Sequence, residues 1–387
     1  MNVPKLRFKE FNDEWNLIRL GDCCNLITKG TTPNRFSESG IKFIKIESLI
    51  NKKIDNNKCL YIDEKTHITS LKRSVLKEKD VLFAIAGATI GKCGIIEKEN
   101  LPSNTNQALA ILRTNPKKLN PYFLLNVLDS NIMKKYILLN ISVGAQPNLN
   151  LEQMNNFKFK LPSEEEQLKV ANFLSLLDKK IELQSKKIED LKLFKLYTKN
   201  QIFNDYDEVF KLKDILIKWN KKNKNNSVKY VESISNKDGF ISQSDQFEDR
   251  NVASKNLNNY YIIEKGVFGY NPSRLNVGSL ALKTNDKISV VSPLYECFTT
   301  SQNNQYLLEW FDSKYFRKET ISKFEGGVRN TLNFSNLCEI EIRLPIIEKQ
   351  NKYSNIFRMF NNKIELEIKK LYKLQELKKG LMQNMFV

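Results

Sequence analysis

Residues 86–93, AGATIGKC, come nearest to a nucleotide-binding motif, because a glycine and a lysine follow an apolar run. A phosphate-binding loop needs a glycine, four residues and then Gly-Lys-Ser/Thr, so that backbone amides enclose the phosphates and a hydroxyl reaches magnesium. Only three residues separate Gly87 from Gly91 here, and Cys93 replaces the hydroxyl. The spacing argues against nucleotide hydrolysis.

Other catalytic patterns are equally incomplete. A DNA methyltransferase needs an Asn/Asp-Pro-Pro-aromatic motif, but NPYF at Asn120 and NPSR at Asn271 lack the second proline. The single histidine, His67, stands in a polar stretch, where an exposed loop residue is expected. No Cys-x-x-Cys pair occurs, so the cysteines are predicted to be reduced, buried thiols: Cys23, Cys24, Cys59, Cys93, Cys297 and Cys338. The sequence predicts no catalytic site, and neither a metal nor a cofactor bound by this chain.

Polar side chains near predicted strand ends and glycine loops suggest a different chemistry, the reading of DNA bases. Arg and Lys pair with guanine, and Asn and Gln pair with adenine. For each residue the alternatives are a solvated loop position or a phosphate contact. The candidates for DNA binding are Lys45, Glu47, Thr89, Lys92, Asn106, Gln107, Gln146, Glu232, Ser233, Asn271, Ser273, Arg274, Asn276, Arg329 and Asn330.

The charge balance supports a polyanionic partner. The 387 residues include 62 basic and 44 acidic side chains, a net charge of +18, and neutralising phosphates releases counterions that supply affinity. Nucleotide bias alone can also produce such a Lys- and Asn-rich chain. No apolar run approaches the roughly 20 residues of a membrane span, and the N-terminus has no apolar leader. A cytoplasmic protein without membrane contact is expected.

The chain contains an internal duplication at an offset of 183 positions. Residues 144–203 align without a gap on residues 327–386, with 18 identities in 60 positions. The shared residues include Leu-Asn and Leu-Pro pairs in fixed register, which two lysine-rich helices would not share by chance. Upstream, YFLLNVLDS resembles YLLEWFDS, and the strand before AGATIGKC resembles the one before NPSRLNVG. Each half is therefore a mixed domain followed by a tail.

The two tails are predicted to be long helices. Pro162 and Pro345 fit helix starts, and no further proline follows in either tail. Apolar residues repeat with the a/d spacing of a coiled coil. Gln184 and Glu367 interrupt the seam at matching places, either to fix its register or as solvent-facing slips. The seam residues are Leu174, Leu177, Ile181, Gln184, Ile188 and Leu191, then Phe357, Phe360, Ile364, Glu367, Leu371 and Leu374.

These patterns predict an α/β (α+β) fold. Two duplicated domains are joined by two long helices that pack as an antiparallel coiled coil with pseudo-two-fold symmetry. The predicted boundaries are 1–160 for the first domain, 161–205 for the first helix, 206–343 for the second domain and 344–387 for the second helix.

The run GAQPNLNLEQMNNFKFKLPSEEEQLKVANFLSLLDKKIEL closely resembles the central conserved region of specificity subunits of type I restriction–modification systems. VPKLRFKEFNDEWNLIRLGD, GATIGKCGI and NPSRLNVGSLAL are similar to further recurrent motifs of that family, so the resemblance covers essentially the whole chain. The second half departs from the first by carrying NPSRLNVG in place of GATIGK.

The resemblance implies a subunit without catalytic activity that reads a bipartite double-stranded DNA site, one half per target-recognition domain. The helices would set the half-site spacing and dock two methyltransferase subunits, which bind S-adenosylmethionine. Restriction subunits, which use ATP and magnesium, would join that core. Two dissimilar domains imply an asymmetric site. The alternatives are a methyltransferase or nuclease with an unrecognised motif, and a coiled-coil scaffold that binds DNA without specificity.

Overall fold

The computed structural model describes residues 3–141, 148–235, 238–243, 256–321 and 331–386, apart from the side chains of residues 276 and 277. The chain forms two compact units. The first contains residues 1–186 and 369–387, and the second contains residues 187–368. Both long helices therefore contribute to both units.

The first unit contains eleven described strands and four short helices. The strands are β1 (Asn16–Arg19), β2 (Cys24–Lys29), β3 (Ile41–Ile44), β4 (Leu49–Ile50), β5 (Lys53–Ile54), β6 (Leu60–Ile62), β7 (Val81–Ala84), β8 (Cys93–Ile95), β9 (Ser103–Thr105), β10 (Leu109–Thr114) and β11 (Lys158–Leu161). The helices are α1 (Glu64–Ile68), α2 (Pro121–Asp129), α3 (Asn131–Asn140) and α4 (Leu151–Asn156). The first long helix follows as α5 (Glu164–Ile202).

The second unit has a similar order of elements within its described residues. Its strands are β12 (Glu208–Lys211), β13 (Leu216–Lys218), β14 (Glu232–Ser235), β15 (Gly239–Ser242), β16 (Tyr261–Ile263), β17 (Phe268–Tyr270), β18 (Leu280–Leu282), β19 (Ser289–Val291), β20 (Glu296–Thr300) and β21 (Glu341–Leu344). Its helices are α6 (Leu212–Ile215), α7 (Asn304–Phe311), α8 (Lys314–Thr320), α9 (Phe334–Cys338) and the second long helix, α10 (Ile347–Asn384).

The sheet topology confirms the duplication. A four-stranded sheet has the order β2-β10-β7-β8 in the first unit and β13-β20-β17-β18 in the second. A separate antiparallel pair closes each domain, β1 with β11 and β12 with β21. In each domain, therefore, the first strand pairs with the last strand, which directly precedes the long helix. The predicted mixed fold with duplicated domains and two long helices is confirmed, whereas the exact domain boundaries stay predictions.

The predicted seam residues lie on the two long helices, and their packing as a seam stays a prediction. Every predicted seam residue is buried or half-buried, with Leu174 and Phe357 fully enclosed. In the second unit, Lys187 reaches Glu367 at 3.1 Å and Lys195 donates to Asn361 at 2.8 Å, so later residues of α5 meet earlier residues of α10. The two helices are antiparallel there, as predicted. None of the helices in the described ranges has the length and apolar character of a membrane span.

Glu367 occupies its seam position as a buried anion. Its side chain is fully enclosed, and it forms ion pairs with Lys187 at 3.1 Å and Lys363 at 3.4 Å. A solvent-facing slip is therefore wrong for this residue. Gln184 at the corresponding position is half-buried.

The repeated Leu-Asn pairs have a structural role at matching helix starts. Leu149 and Leu332 are fully buried. Asn150 accepts a hydrogen bond from the Gln153 amide at 2.7 Å, and Asn333 accepts one from the Asn336 amide at 2.8 Å. Each asparagine thereby satisfies an amide that the first helical turn leaves unpaired.

The repeated glutamines clamp each long helix to its domain. Gln167 is buried; its oxygen accepts from the Asn120 amide at 2.8 Å, and its nitrogen donates to the Lys118 and Pro162 carbonyls. Asn120 caps α2, so the clamp joins the start of α5 to the start of a domain helix. The helix begins at Glu164, two residues after Pro162, and the proline supplies an acceptor rather than the first helical residue.

Gln350 makes the equivalent clamp in the second unit. Its oxygen accepts from the Asn303 amide at 3.1 Å, and its nitrogen donates to Gln302 and to the Pro345 carbonyl, each at 2.8 Å. Asn303 caps α7. The repeated Leu-Pro-x-x-Glu-x-Gln sequence therefore supplies, in each unit, the proline carbonyl and the glutamine that attach the long helix to its domain.

We expect Gln167→Ala to destabilise the start of α2 by about 1–3 kcal/mol, because a buried amide loses its acceptor. Hydrogen–deuterium exchange of the α2 amides measures this loss. Gln201→Ala, at an exposed position near the end of α5, is the matched control and should leave exchange in α2 unchanged. Equal exchange in both variants would contradict the clamp.

Candidate nucleic-acid interface

The first unit brings its candidate residues to one sheet edge. Strands β3 and β9 are parallel, with Ile44 opposite Thr105, and the Thr105 hydroxyl donates to the Ile44 carbonyl at 2.9 Å. The ends of parallel strands meet at the same edge, so Lys45 after β3 lies near Asn106 after β9. We call this the first candidate edge, defined by residues 30–35, 45–47, 86–92 and 106–107.

Lys45 and Glu47 form an ion pair at this edge. Their charged groups lie 3.9 Å apart, and the Glu47 side chain is 70% exposed. An ion pair this exposed contributes little to stability. Both side chains are therefore free to exchange this contact for contacts with a ligand.

The hairpin loop between β7 and β8 reaches the same edge. The Lys92 ammonium donates to the Ile46 carbonyl at 3.2 Å, and Thr89 is exposed beside it. Gly87 and Gly91 have φ values of 87° and 95°, a backbone conformation that favours glycine. The two glycines thus give the loop the shape that presents Thr89 and Lys92.

Residues 30–35, GTTPNR, complete the edge but were not predicted as part of it. A Cβ on Gly30 would lie 1.8 Å from the Thr105 carbonyl oxygen, so only glycine allows this close approach. The Thr31 amide donates to that oxygen at 3.2 Å, and the Thr32 hydroxyl bonds the Gln107 side chain. A glycine and a proline directly after strand β2 were the available sequence signal.

The second unit presents a different loop after β17, the strand that corresponds to β7. Asn271 accepts a hydrogen bond from the Ser273 amide at 3.0 Å and caps a short 3₁₀ helix, Pro272–Val277. Ser273 and Arg274 are exposed on it, and Gly278 ends it with φ 91°. This loop exposes an arginine where the first unit has an exposed threonine and a half-buried lysine.

Glu232 and Ser233 lie inside the second unit. The Glu232 carboxylate accepts hydrogen bonds from Lys283 and from the Ser289 hydroxyl, and Glu232, Lys283 and Ser289 are all buried. Ser233 is 7% exposed. Neither predicted side chain is presented to solvent, in contrast to Glu47 of the matching Glu-Ser pair in the first unit.

The remaining predicted contacts lie outside the described residues. They are Gln146, Arg329, Asn330 and the side chain of Asn276. The assignment of individual residues to DNA contacts stays a prediction throughout.

The thiols and the histidine have inert surroundings. Burial raises the pKa of Cys93 and of Cys297 to about 12, so both stay protonated and poorly nucleophilic at neutral pH. His67 lies on α1, half-buried, with its Nδ1 bonded to the buried Asn104; the expected exposed loop position is wrong. Within the described ranges, no group of three His, Cys, Asp or Glu side chains could hold a metal ion.

Comparison with known proteins agrees with this architecture. Residues 12–193 match the family model of the type I restriction modification DNA specificity domain. The chain is 25% identical to the putative type I restriction enzyme MjaX specificity subunit of Methanocaldococcus jannaschii, over 98% of this chain and 95% of that protein. A 31% identity to the EcoBI specificity subunit of Escherichia coli covers 35% of this chain and 28% of that protein.

Solved structures share the fold. The type I restriction–modification S subunit from M. genitalium has a TM-score of 0.61 at 14% identity, covering 100% of this chain and 99% of that one. A structure described under complex assembly and conformational transition of the type I system has a TM-score of 0.58 at 15% identity, covering 95% and 96%. The chain is thus similar to type I restriction–modification specificity subunits, in sequence over 98% of its length and in fold over its whole length.

Proposed function

We propose that this chain is a non-catalytic subunit that reads a bipartite, asymmetric DNA site, one half with each domain. The observation that supports this most directly is the duplicated sheet, which carries unlike side chains on corresponding loops. The loop after β7 offers Thr89 and Lys92, and the loop after β17 offers Ser273 and Arg274. Since Arg reads guanine bidentately and Lys often contacts phosphate, unlike loops favour unlike half-sites.

We further propose that the long helices dock two methyltransferase subunits and set the half-site spacing. Large apolar side chains are exposed at repeated positions, where solvation is unfavourable and a protein partner is favoured. Leu176 and Met359 are 70% and 71% exposed, and Leu183 and Leu366 are 57% and 48% exposed. Two equivalent apolar faces suit two copies of one partner.

In this proposal the cofactors belong to the partners. S-adenosylmethionine binds the methyltransferase subunits, and ATP with magnesium serves restriction subunits that join them. The purified chain should then bind none of these in equilibrium dialysis. Binding of S-adenosylmethionine or magnesium to the chain alone would favour the alternative of an unrecognised methyltransferase or nuclease.

The decisive experiment is a base-resolution map of adenine methylation in the host genome with this gene intact and deleted. Loss of methylation at one split, asymmetric motif is the expected result. If no adenine changes its methylation, the system is inactive in the host or the proposal is wrong. A methylation assay reconstituted with the candidate methyltransferase subunits distinguishes these two cases. Equal binding to every duplex tested would instead support a non-specific scaffold.

We expect Lys92→Ala to weaken DNA binding with a reduced salt dependence. Losing one phosphate contact should make the slope of log K against log salt concentration shallower by about 0.9. Fluorescence anisotropy of the methyltransferase complex on its cognate duplex, over a series of salt concentrations, measures both quantities. Lys179→Ala, at an exposed position on α5, is the control, and a slope unchanged in both variants would exclude a Lys92–phosphate contact.

A further inference from the structure

A cluster of five polar side chains joins the first domain to both long helices. Lys52 donates to Asn126 at 2.7 Å and to Asp178 at 3.2 Å, and its ammonium lies 3.3 Å from Asp129. Lys378 lies 2.6 Å from Asp178 and 3.9 Å from Asp129. The members come from α2, α5, α10 and the turn between β4 and β5. We call this cluster the first polar joint.

The second unit contains a cluster of the same composition. Lys195 donates to Glu309 and to Asn361, each at 2.8 Å, and Asn361 donates to Glu309 at 3.1 Å. Lys199 lies 3.1 Å from Glu309 and 3.0 Å from Asp312. Each joint thus has two ammonium groups, two carboxylates and one amide. We call this cluster the second polar joint.

Four of the five positions correspond through the 183-residue offset of the duplication. The pairs are Asn126 with Glu309, Asp129 with Asp312, Asp178 with Asn361, and Lys378 with Lys195. The amide and one carboxylate have changed places. In the first joint the long helix carries the carboxylate and the domain helix the amide, and in the second joint the reverse holds.

The fifth member comes from a different element in each unit. Lys199 stands one helical turn after Lys195, and the position that corresponds to it is Met382. Lys52 supplies the missing ammonium from a two-residue hairpin turn, in which Asn51 and Lys52 have φ values of 50° and 66°. A lysine is unfavourable in this conformation. Its presence there is explained by the two half-buried carboxylates, Asp129 and Asp178, that it reaches.

The joints hold their charges where burial opposes them. Burial alone would lower the pKa of Lys52, but Asp129 and Asp178 raise that pKa above its ordinary value. Burial alone would raise the pKa of Glu309, but Lys199 and Lys195 keep that pKa below its ordinary value. The Lys52, Glu309 and Lys199 side chains are only 10%, 7% and 6% exposed. Because these charges depend on their joint partners for solvation, rotating the domain on the helices would leave them buried and unpaired.

We propose that the two polar joints are matched positioning elements that fix each domain at one angle on its helices and so restrict the half-site spacing that the protein accepts. This inference rests on the proposed function. An apolar contact would hold the domain as tightly but would tolerate sliding, since hydrophobic burial is non-directional. A network of ion pairs and hydrogen bonds defines one angle.

The test uses the full complex with its methyltransferase partner and a series of duplexes whose spacers differ by single base pairs. Asp178→Asn leaves two ammonium groups against Asp129 alone. The measured quantity is the methylation rate at the preferred spacing divided by the rate at spacings one base pair longer or shorter. We expect this ratio to fall at least about threefold. The double variant Asn126→Asp with Asp178→Asn copies the arrangement of the second joint and should restore the ratio.

Glu182→Gln is the matched control. Glu182 on the same helix pairs at 2.6 Å with Lys53, the residue directly after the turn, but both side chains are more than half exposed. This variant should keep the wild-type ratio, because an exposed pair does not define an angle. If Asp178→Asn lowers thermal stability while its spacing ratio stays at the wild-type value, the joint is merely structural and the proposal is overturned.

A second readout separates the joint from the proposed function. Hydrogen–deuterium exchange of the α2 amides should increase in Asp178→Asn and return toward wild type in the double variant. If the wild-type complex methylates no split site, the proposed function fails. Hydrogen–deuterium exchange then remains as the test of whether the joint positions the domain. Unchanged exchange of α2 in Asp178→Asn would overturn it, as would failure of the double variant to restore either readout.

Discussion

Replacing Glu232 with glutamine is expected to destabilise the second unit by about 3–5 kcal/mol, because Lys283 is then left as an unpaired charge inside the protein. The Lys283 and Glu232 side chains are 0% and 3% exposed. Urea unfolding followed by Trp219 fluorescence measures the change, with Trp15 and Trp310 replaced by phenylalanine in every variant. At a typical slope of about 2 kcal/mol per molar urea, the midpoint should fall by about 1.5–2.5 M.

Two variants make this prediction specific. Glu47→Gln changes the exposed glutamate of the Glu-Ser pair in the first unit, and we expect an effect within about 0.5 kcal/mol. Replacing both Glu232 and Lys283 by methionine removes the buried charges together and should recover most of the lost stability. A Glu232→Gln protein as stable as Glu47→Gln would contradict the buried pair.

Inserting one helical turn into each long helix is expected to abolish methylation at the natural spacing and to create methylation at a longer one. Four residues added near Gln184, and four near Glu367, lengthen each helix by about 6 Å. DNA rises by about 3.4 Å per base pair, so the preferred spacer should grow by one or two base pairs. Both half-sites should stay unchanged, because neither reading loop is altered.

The control for this insertion keeps the length constant. Replacing the exposed residues Lys186, Glu189 and Asp190 by alanine, without insertion, changes the composition at the same place and should leave the spacing as it is. Sequencing of DNA methylated by each reconstituted complex reads the half-sites and the spacer together. Altered half-sites at an unchanged spacing would contradict the proposal that the helices set the distance.

The long helices and the duplication could be predicted from the sequence because their signals are local and repeated. The heptad spacing assigned Leu174 and Phe357 to apolar positions, and both are fully buried in the core cluster of their unit. The role of the repeated glutamines was less accessible. The three hydrogen bonds of Gln167 link residues up to 49 positions apart, and no local pattern encodes them.

The candidate site was harder to predict, since burial depends on distant residues. Glu47 and Glu232 occupy similar Glu-Ser pairs, yet Glu232 is buried because Lys283 and Ser289, more than 50 residues away, complete its shell. Comparison of aligned residue types also conceals the polar joints. Asn126 aligns with Glu309, and Asp178 aligns with Asn361. Each position considered alone therefore shows two different residue types, although the two joints have the same composition.

The pairing of β1 with β11, and of β12 with β21, has an evolutionary consequence. The chain enters and leaves each domain through two neighbouring strands, and the reading loops lie within the segment that they enclose. Such a segment behaves as a cassette: recombination in the two strands could replace it while the seam and the glutamine of each clamp remain. New target sequences can then arise by exchange of whole cassettes, provided that each incoming cassette supplies matching partners for the polar joint.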